Sequence, residues 1–477
     1  MIECELIRIN TPNDFFKLKQ KIKGTHIDNE TINELVHFLG NKCDMVRIEN
    51  PYSDKDYLSN YYIHYSKKYR DYDKKCYRIH LYSKESYLGF IILRPTCHRK
   101  IGRSYIHPSL LLDKSAYLMA SDFKANILGN RNEVTAFPWM HQEPDVTCCA
   151  HITLWSILRY FSSKYSDYSD PTIADIVNKI QYNYDRKIPT KGLREEQISN
   201  LLIQFGFSTL IRSNHVNDEI FTYIESGLPV IGIIPTDNDE AHAICLIGHG
   251  DVKRDDSFEP LKEIFKTKNK KGELKSINTD IILSTKFLDS LIVNDDNYFP
   301  YRTVYKQVKM LEKIDKKYEP VYIVDNIKSF IIPLYEKMQI TYNEVYNIVL
   351  NYLLSNSLSG LPSPKVLRFF ITSSNSFKEN LKSRNINSEL RRILLRVNMP
   401  KFIWCVEISS RENYVNGLID GCIIIDATDS SEEMSPFIVV HDREKVEYYN
   451  GNRNLKNKID ILPYKQYINN LKEFNYE

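Results

Sequence analysis

The sequence predicts an α+β protein of several packed units, on three observations. Short runs rich in Ile, Val, Tyr and Phe recur along the chain, bounded by Gly, Pro or charged residues, as strands are. Between them lie segments with apolar residues at helical spacing, most clearly Ala150, Leu154, Ile157, Leu158 and Phe161. At 477 residues the chain exceeds what one ordinary core organises, so two or three domains are expected.

Composition bounds the function classes. A 42% hydrophobic and 26% charged chain is globular, and a net charge of +3 gives no general argument for nucleic acid or membrane partners. No dense basic stripe with interleaved aromatics stands out, which argues against nucleic-acid binding. No apolar run approaches the roughly 18–20 residues that span a bilayer. The start, MIECELIRINTP, lacks a basic-then-apolar signal pattern, so a cytoplasmic location is expected. The nine cysteines are odd in number and form no CxxC pair, which argues against a disulfide framework or a structural zinc site. Most are expected to be buried small hydrophobes. Oligomeric state is left open.

Residues 1–135 read as an N-terminal α+β region. Thr31–Leu39 predicts a short helix, and Tyr77–Tyr82 with Tyr87–Leu93 predicts paired strands turning at Ser83–Ser86. Pro95 stops the second strand. Arg94 and Arg103 are expected to be solvated or locally paired. The polar stretch Gly129–Thr135 reads as a linker.

Residues 136–305 form the second region. Asp145 or Thr147 is placed to cap the helix that follows. A second helix is expected to start at Asp170-Pro171, a third over 192–207 closed by Gly206, and a fourth over Asn217–Ser226 followed by Gly227. PVIGIIP and HAICLIGHG read as strands. The charged segment 251–289 interrupts them and is expected to be a surface insertion, either a lid or a solvated loop. Residues 306–477 form a third, α+β region. It opens with the charged stretch MLEKIDKKYEP. A helix is expected at Tyr342–Leu354, and strands at Lys365–Thr372, Lys401–Ile408, Leu418–Ala427 and Pro436–His441.

The chemistry concentrates in the middle region. Gln142–Phe161, QEPDVTCCAHITLWSILRYF, places a glutamine shortly before a cysteine pair that opens a helix. Only a thiolate attacks carbonyl carbon well, and a helix N-terminus with a partner imidazole favours it. A backbone N–H and the Gln142 amide suit a developing oxyanion. The imidazole in turn needs an acceptor that fixes its tautomer. His242 opens one apolar strand, and SLIVNDD ends another at Asn294 and Asp295.

CAHITLWSILRYF resembles the nucleophile helix of papain-fold cysteine peptidases, especially the bacterial group that cleaves leader peptides after double glycine. SGLPVIGII with AHAICLIGHG, and SLIVNDD, resemble that group's later strands. The resemblance covers about 160 residues, roughly a third of the chain. It implies a papain-like core in which the nucleophile helix packs on an antiparallel sheet. It also implies Cys149 as nucleophile, His242 as base, Asp295 as third member and Gln142 at the oxyanion. Two alternatives stay open. The six-residue spacing from Gln142 favours Cys148, whereas the helix pattern favours Cys149. Asn294 stands beside Asp295 as alternative third member. Alanine replaces the glycine usual after the nucleophile.

The expected activity is a cysteine hydrolase, a peptidase acting on a peptide or protein through an acyl-enzyme, with no cofactor and no metal required. A metal site at Cys148, Cys149 and His151 is disfavoured, because adjacent ligands strain tetrahedral geometry. The same residues would serve an acyltransferase or transglutaminase-like enzyme. An inactive binding module acting through its flanking regions is the reading from a different class.

Overall fold

The computed structural model describes residues 3–475 except 25, 97, 181–191, 214–216, 236–240, 254–261, 267–273, 279, 307–316, 356–359, 362, 430–435 and 451–452. It is a mixed α+β structure in which antiparallel pairing dominates. Most of the charged stretch MLEKIDKKYEP lies outside the described residues.

The N-terminal part is a five-stranded antiparallel meander, Glu3–Arg8, Met45–Tyr52, Cys76–Ser83, Ser86–Leu93 and Ile101–Ile106. The hairpin turn falls at Lys84 and Glu85, both at positive φ (47° and 66°), the backbone a tight two-residue hairpin requires. The helix expected at Thr31–Leu39 spans Asn29–Leu39, and Asp28 caps it by accepting from the Thr31 N–H. Arg103 pairs with Asp54 at 2.7 Å and Arg94 with Glu143 at 3.5 Å, so both arginines are locally paired. The stretch read as a linker is instead a strand, Asn130–Ala136, in register with Ser121–Ile127. Val134 and Ala136 point inward at period two, an alternation diluted by the polar residues between them.

The central sheet has eight strands. We label them in chain order as β1 (Ala116–Leu118), β2 (Phe207–Ser213), β3 (Val230–Pro235), β4 (Ala241–Gly250), β5 (Ser290–Asn294), β6 (Arg302–Tyr305), β7 (Ser329–Tyr335) and β8 (Lys472–Phe474). Their order is β6-β5-β4-β3-β7-β2, all antiparallel, and β1 takes up the far end of β4 with β8 alongside. Close approach there requires glycine: a Cβ on Gly248 would meet the Tyr117 carbonyl oxygen at 2.2 Å. The ladder slips between Leu246 and Gly248 at the same place.

The helix α1 (Cys149–Lys164) lies against β4. Its predicted stripe is buried, but so are Trp155, Arg159 and Tyr160. The opposite face meets the N-terminal region, where buried Asp56 accepts from Trp155 Nε1 at 3.0 Å and from Arg159 Nη2 at 3.1 Å. A buried carboxylate persists because it is paired and hydrogen-bonded.

Two boundaries differ from the sequence reading. β7 and β8 come from the region expected to be separate after residue 305, yet β7 runs between β3 and β2. Segment 251–289 is also more than a loop. It contains a hairpin, Lys262–Lys266 with Leu274–Asn278, and a strand, Ile281–Leu283, that joins Lys365–Ser373 in parallel. That strand belongs to a seven-stranded sheet in the C-terminal part. Its three apolar residues are buried, too short a run to stand out among the charges around it. Arg368 ties this sheet to the end of the helix Asn217–Glu225, bonding Glu225 Oε2 at 2.6 Å and, on the neighbouring strand, Glu407 Oε2 at 2.9 Å. Among the described residues, no helix is long and apolar enough to cross a membrane.

Candidate active site

The helix start comes first. Cys148, rather than Asp145 or Thr147, is the N-cap residue, with extended backbone (φ −115°, ψ 172°). Thr147 is used one turn earlier, where its hydroxyl accepts from the Glu143 N–H at 2.9 Å. His151 Nδ1 accepts from the Cys148 N–H at 3.3 Å and lies 3.0 Å from Cys148 Sγ. A ring nitrogen that accepts is unprotonated, and burial pushes His151 down to about 4, so this imidazole is neutral.

Cys149 starts α1 on the face toward β4. One turn on, the Thr153 hydroxyl donates to the Ala243 carbonyl at 3.3 Å, and the Ala243 N–H donates to Cys149 Sγ at 3.3 Å. These bonds stitch the helix to the strand beside His242. The i, i+4 geometry of a helix puts residues 149 and 153 together on that face and turns residue 148 away.

His242 follows the first residue of β4, where Ile234 of β3 faces it. Its Nε2 donates to Asp295 Oδ1 at 2.8 Å, and the Cys149 thiol is near enough to favour the charged ring. Burial opposes charge on His242, but Asp295 and Cys149 hold it well above its ordinary value.

Asp295 is the first residue past β5, in a turn closed by the Tyr298 N–H to the Asp295 carbonyl at 3.1 Å. The Asn297 N–H donates back to Asp295 Oδ1 at 2.9 Å, an Asx turn that orients the carboxylate. The Tyr322 hydroxyl donates to Oδ2 at 2.9 Å, and Trp139 Nε1 donates to the carbonyl at 3.3 Å. Burial pushes the Asp295 carboxyl up, but His242, Asn297 and Tyr322 together hold it below the usual carboxylate range.

The two thiols act on each other's protonation in opposite directions. The bond to Cys148 and burial push Cys149 up, against the pull of His242. The same bond holds Cys148 down, helped by the N–H groups of His151 and Ala150. Contact decides which thiol is placed for proton transfer: Cys149 meets the imidazole anchored by Asp295, and Cys148 has turned to His151.

Of the residues singled out in the sequence, Cys149, His242 and Asp295 thus come together. Gln142 reaches the cluster through Asn297, its Nε2 lying 3.5 Å from Asn297 Oδ1. Asn294 does not join: its Oδ1 accepts from the Tyr301 N–H at 2.9 Å, because side chains of neighbouring strand residues point to opposite faces. His141 and His249 lie elsewhere, beside Glu34 at 3.9 Å and Glu225 at 3.2 Å.

Sequence reading missed Asn297, Tyr322 and Asp296. The Asn297 amide lies 3.3 Å from His242 Nε2, and the Asp-Asp-Asn run carried a turn signal for it. Tyr322 carried none, being one of 33 tyrosines and 27 residues from its partner. Asp296 is 4% exposed, with Oδ1 3.7 Å from His242 Nε2 and neither carboxyl oxygen hydrogen-bonded. Burial pushes its carboxyl well up, and the neighbouring Cys149 and Asp295 add to this.

In comparisons with known proteins, the chain matches no family model, and no curated protein resembles it closely enough to count as a relative. What the site does therefore rests on its geometry. A cleft of about 530 Å³ opens against Asn297, between Glu30 and Glu34 of the N-terminal helix on one side and Arg99, Tyr298 and Lys317 on the other. It reaches the site at Asn297, and neither His242 nor Cys149 lines it.

Proposed function

We propose that the chain is a cysteine hydrolase with a papain-like core, acting on amide bonds of a peptide or protein. The observation that carries this reading is one imidazole bonded to a buried carboxylate at 2.8 Å, with a thiol at a helix start held beside it by the N–H of the next residue, Ala243. Cys149 passes its proton to His242 and attacks the acyl carbon. Asp295 keeps the imidazolium charged and oriented. The oxyanion is met by the Cys149 N–H, one of the first-turn donors that have no intrahelical carbonyl, and by the Gln142 amide once substrate draws it from Asn297. His242 then gives its proton to the leaving amine, and water releases the acyl group. The cleft beside Asn297 receives the substrate, so the N-terminal region contributes to selectivity.

The test is selective alkylation by iodoacetamide at neutral pH, with the labelled cysteine located by peptide mass mapping. Label is expected at Cys149 and lost in Cys149→Ala and His242→Gln, with the fold intact by circular dichroism. Preferential labelling at Cys148 would overturn the assignment of the nucleophile. No selective labelling at either thiol would favour a binding module. Product masses with and without an added amine distinguish hydrolysis from acyl transfer.

A further inference from the structure

Asp296 has no part in the chemistry above, and its surroundings call for a ligand. Its two oxygens are buried and unbonded, which is costly for a carboxyl group. It shares His242 Nε2 with Asp295, at 3.7 Å and 2.8 Å respectively, so one imidazole faces two carboxyl groups. An imidazolium neutralises one of them and leaves the other a buried, uncompensated charge unless it takes a proton.

A divalent cation resolves both deficits. Zinc binds nitrogen and carboxylate oxygen at about 2.0–2.2 Å, which in a tetrahedron separates ligand atoms by about 3.3–3.6 Å. His242 Nε2, one oxygen of Asp295 and one of Asp296 all lie within 4.8 Å of one another. The separations from Nε2, 2.8 and 3.7 Å, bracket the tetrahedral value. The Asn297 amide stands at 3.3 Å from the same nitrogen, and rotation of that amide presents its oxygen. Two carboxylates, a neutral imidazole and a 2+ ion sum to zero charge, the balance a buried site needs.

We propose that His242, Asp295 and Asp296, with the Asn297 amide as fourth donor, form a binding site for a zinc-class divalent cation, and that the cation holds the thiol chemistry off. Binding takes the Nε2 lone pair, so the neutral ring's single proton moves from Nε2 to Nδ1. Nδ1 then has no lone pair to take the Cys149 proton. The binding stands on the ligand geometry alone, and the inhibition rests on the hydrolase reading.

The test uses the full chain carrying Cys148→Ser and Cys149→Ser, so that the thiols do not bind the metal, titrated with zinc chloride by calorimetry. One zinc per chain is expected. Adding Asp296→Asn or His242→Gln is expected to weaken it at least about tenfold, since losing even an outer hydrogen-bond partner of a metal ligand costs that much. The two variants sit on different segments, and circular dichroism confirms that each is folded. Equal affinity with and without these changes means an adventitious ion only and overturns the proposal. In the chain with native cysteines, zinc is expected to slow alkylation of Cys149, and Asp296→Asn to remove that protection. Binding that depends on Asp296 without protection of Cys149 upholds the site and rejects the inhibition. Failure to label Cys149 without zinc rejects the hydrolase reading and leaves the calorimetry to decide the site.

Discussion

Tyr322→Phe isolates one hydrogen bond that holds the candidate triad. The Tyr322 hydroxyl donates to Asp295 Oδ2 at 2.9 Å, and the Asp295 side chain is 1% exposed. Removing only the oxygen keeps the ring and its packing but leaves the carboxylate one donor short. A hydrogen bond to a charged group contributes about 1.5–3 kcal/mol, and a buried acceptor that loses its donor regains no water. We expect a loss of about 2 kcal/mol at neutral pH, read as a lower urea midpoint with unchanged slope. The same loss reaches the imidazole, because the carboxylate that orients His242 is then held only by the Asn297 N–H and His242 itself. Alkylation of Cys149 should slow by roughly tenfold, the factor that corresponds to about 1.4 kcal/mol. If stability changes by less than about 0.5 kcal/mol and alkylation keeps its rate, the hydroxyl does not support Asp295 and this account of the site's rigidity is wrong.

Three further outcomes are expected. Gly248→Ala forces a Cβ to within 2.2 Å of the Tyr117 carbonyl oxygen, so the strand junction must shift, at a cost of about 1–3 kcal/mol or more by chemical denaturation. Arg368→Met leaves the buried Glu225 and Glu407 without their shared cation and should cost about 3–5 kcal/mol, measured the same way. Burial raises Glu34 from 4.5 to about 7, with Arg99 opposing and Glu30 and Asp28 adding. Between these values the folded chain holds a proton that the unfolded chain releases. The stability it contributes is therefore complete below pH 4.5, falls as pH rises toward 7 and levels off above, by on the order of 3 kcal/mol. The wild-type stability profile minus that of Glu34→Gln should show this decline, and parallel profiles would reject it.

Elements whose signals are local were legible in the sequence. The stripe from Ala150 to Phe161 set the helix. Lys84 and Glu85 between two β-rich runs set a hairpin. Gly227, at φ +73°, marked the end of the helix Asn217–Glu225. Cys149, His242 and Asp295 were legible because each stands at an element boundary: a helix start, a strand start, a strand end. The pairings between distant segments emerge only on folding. It drew Ser329–Tyr335 and Lys472–Phe474 into the central sheet, and Ile281–Leu283 into the C-terminal one. Strand neighbours depend on which apolar faces bury each other, and periodicity carries no record of partner. Folding also turned the two cysteines to different partners, where the sequence reading took Cys149 as nucleophile and kept Cys148 as the alternative. The extended backbone of the N-cap turns Cys148 to His151 while Cys149 enters the helix facing the strand that carries His242, and only the sheet packed against that helix says which direction faces the imidazole. The supporting shell of Asn297, Tyr322 and Asp296 became visible for the same reason, since its members meet Asp295 and His242 through folding rather than through spacing.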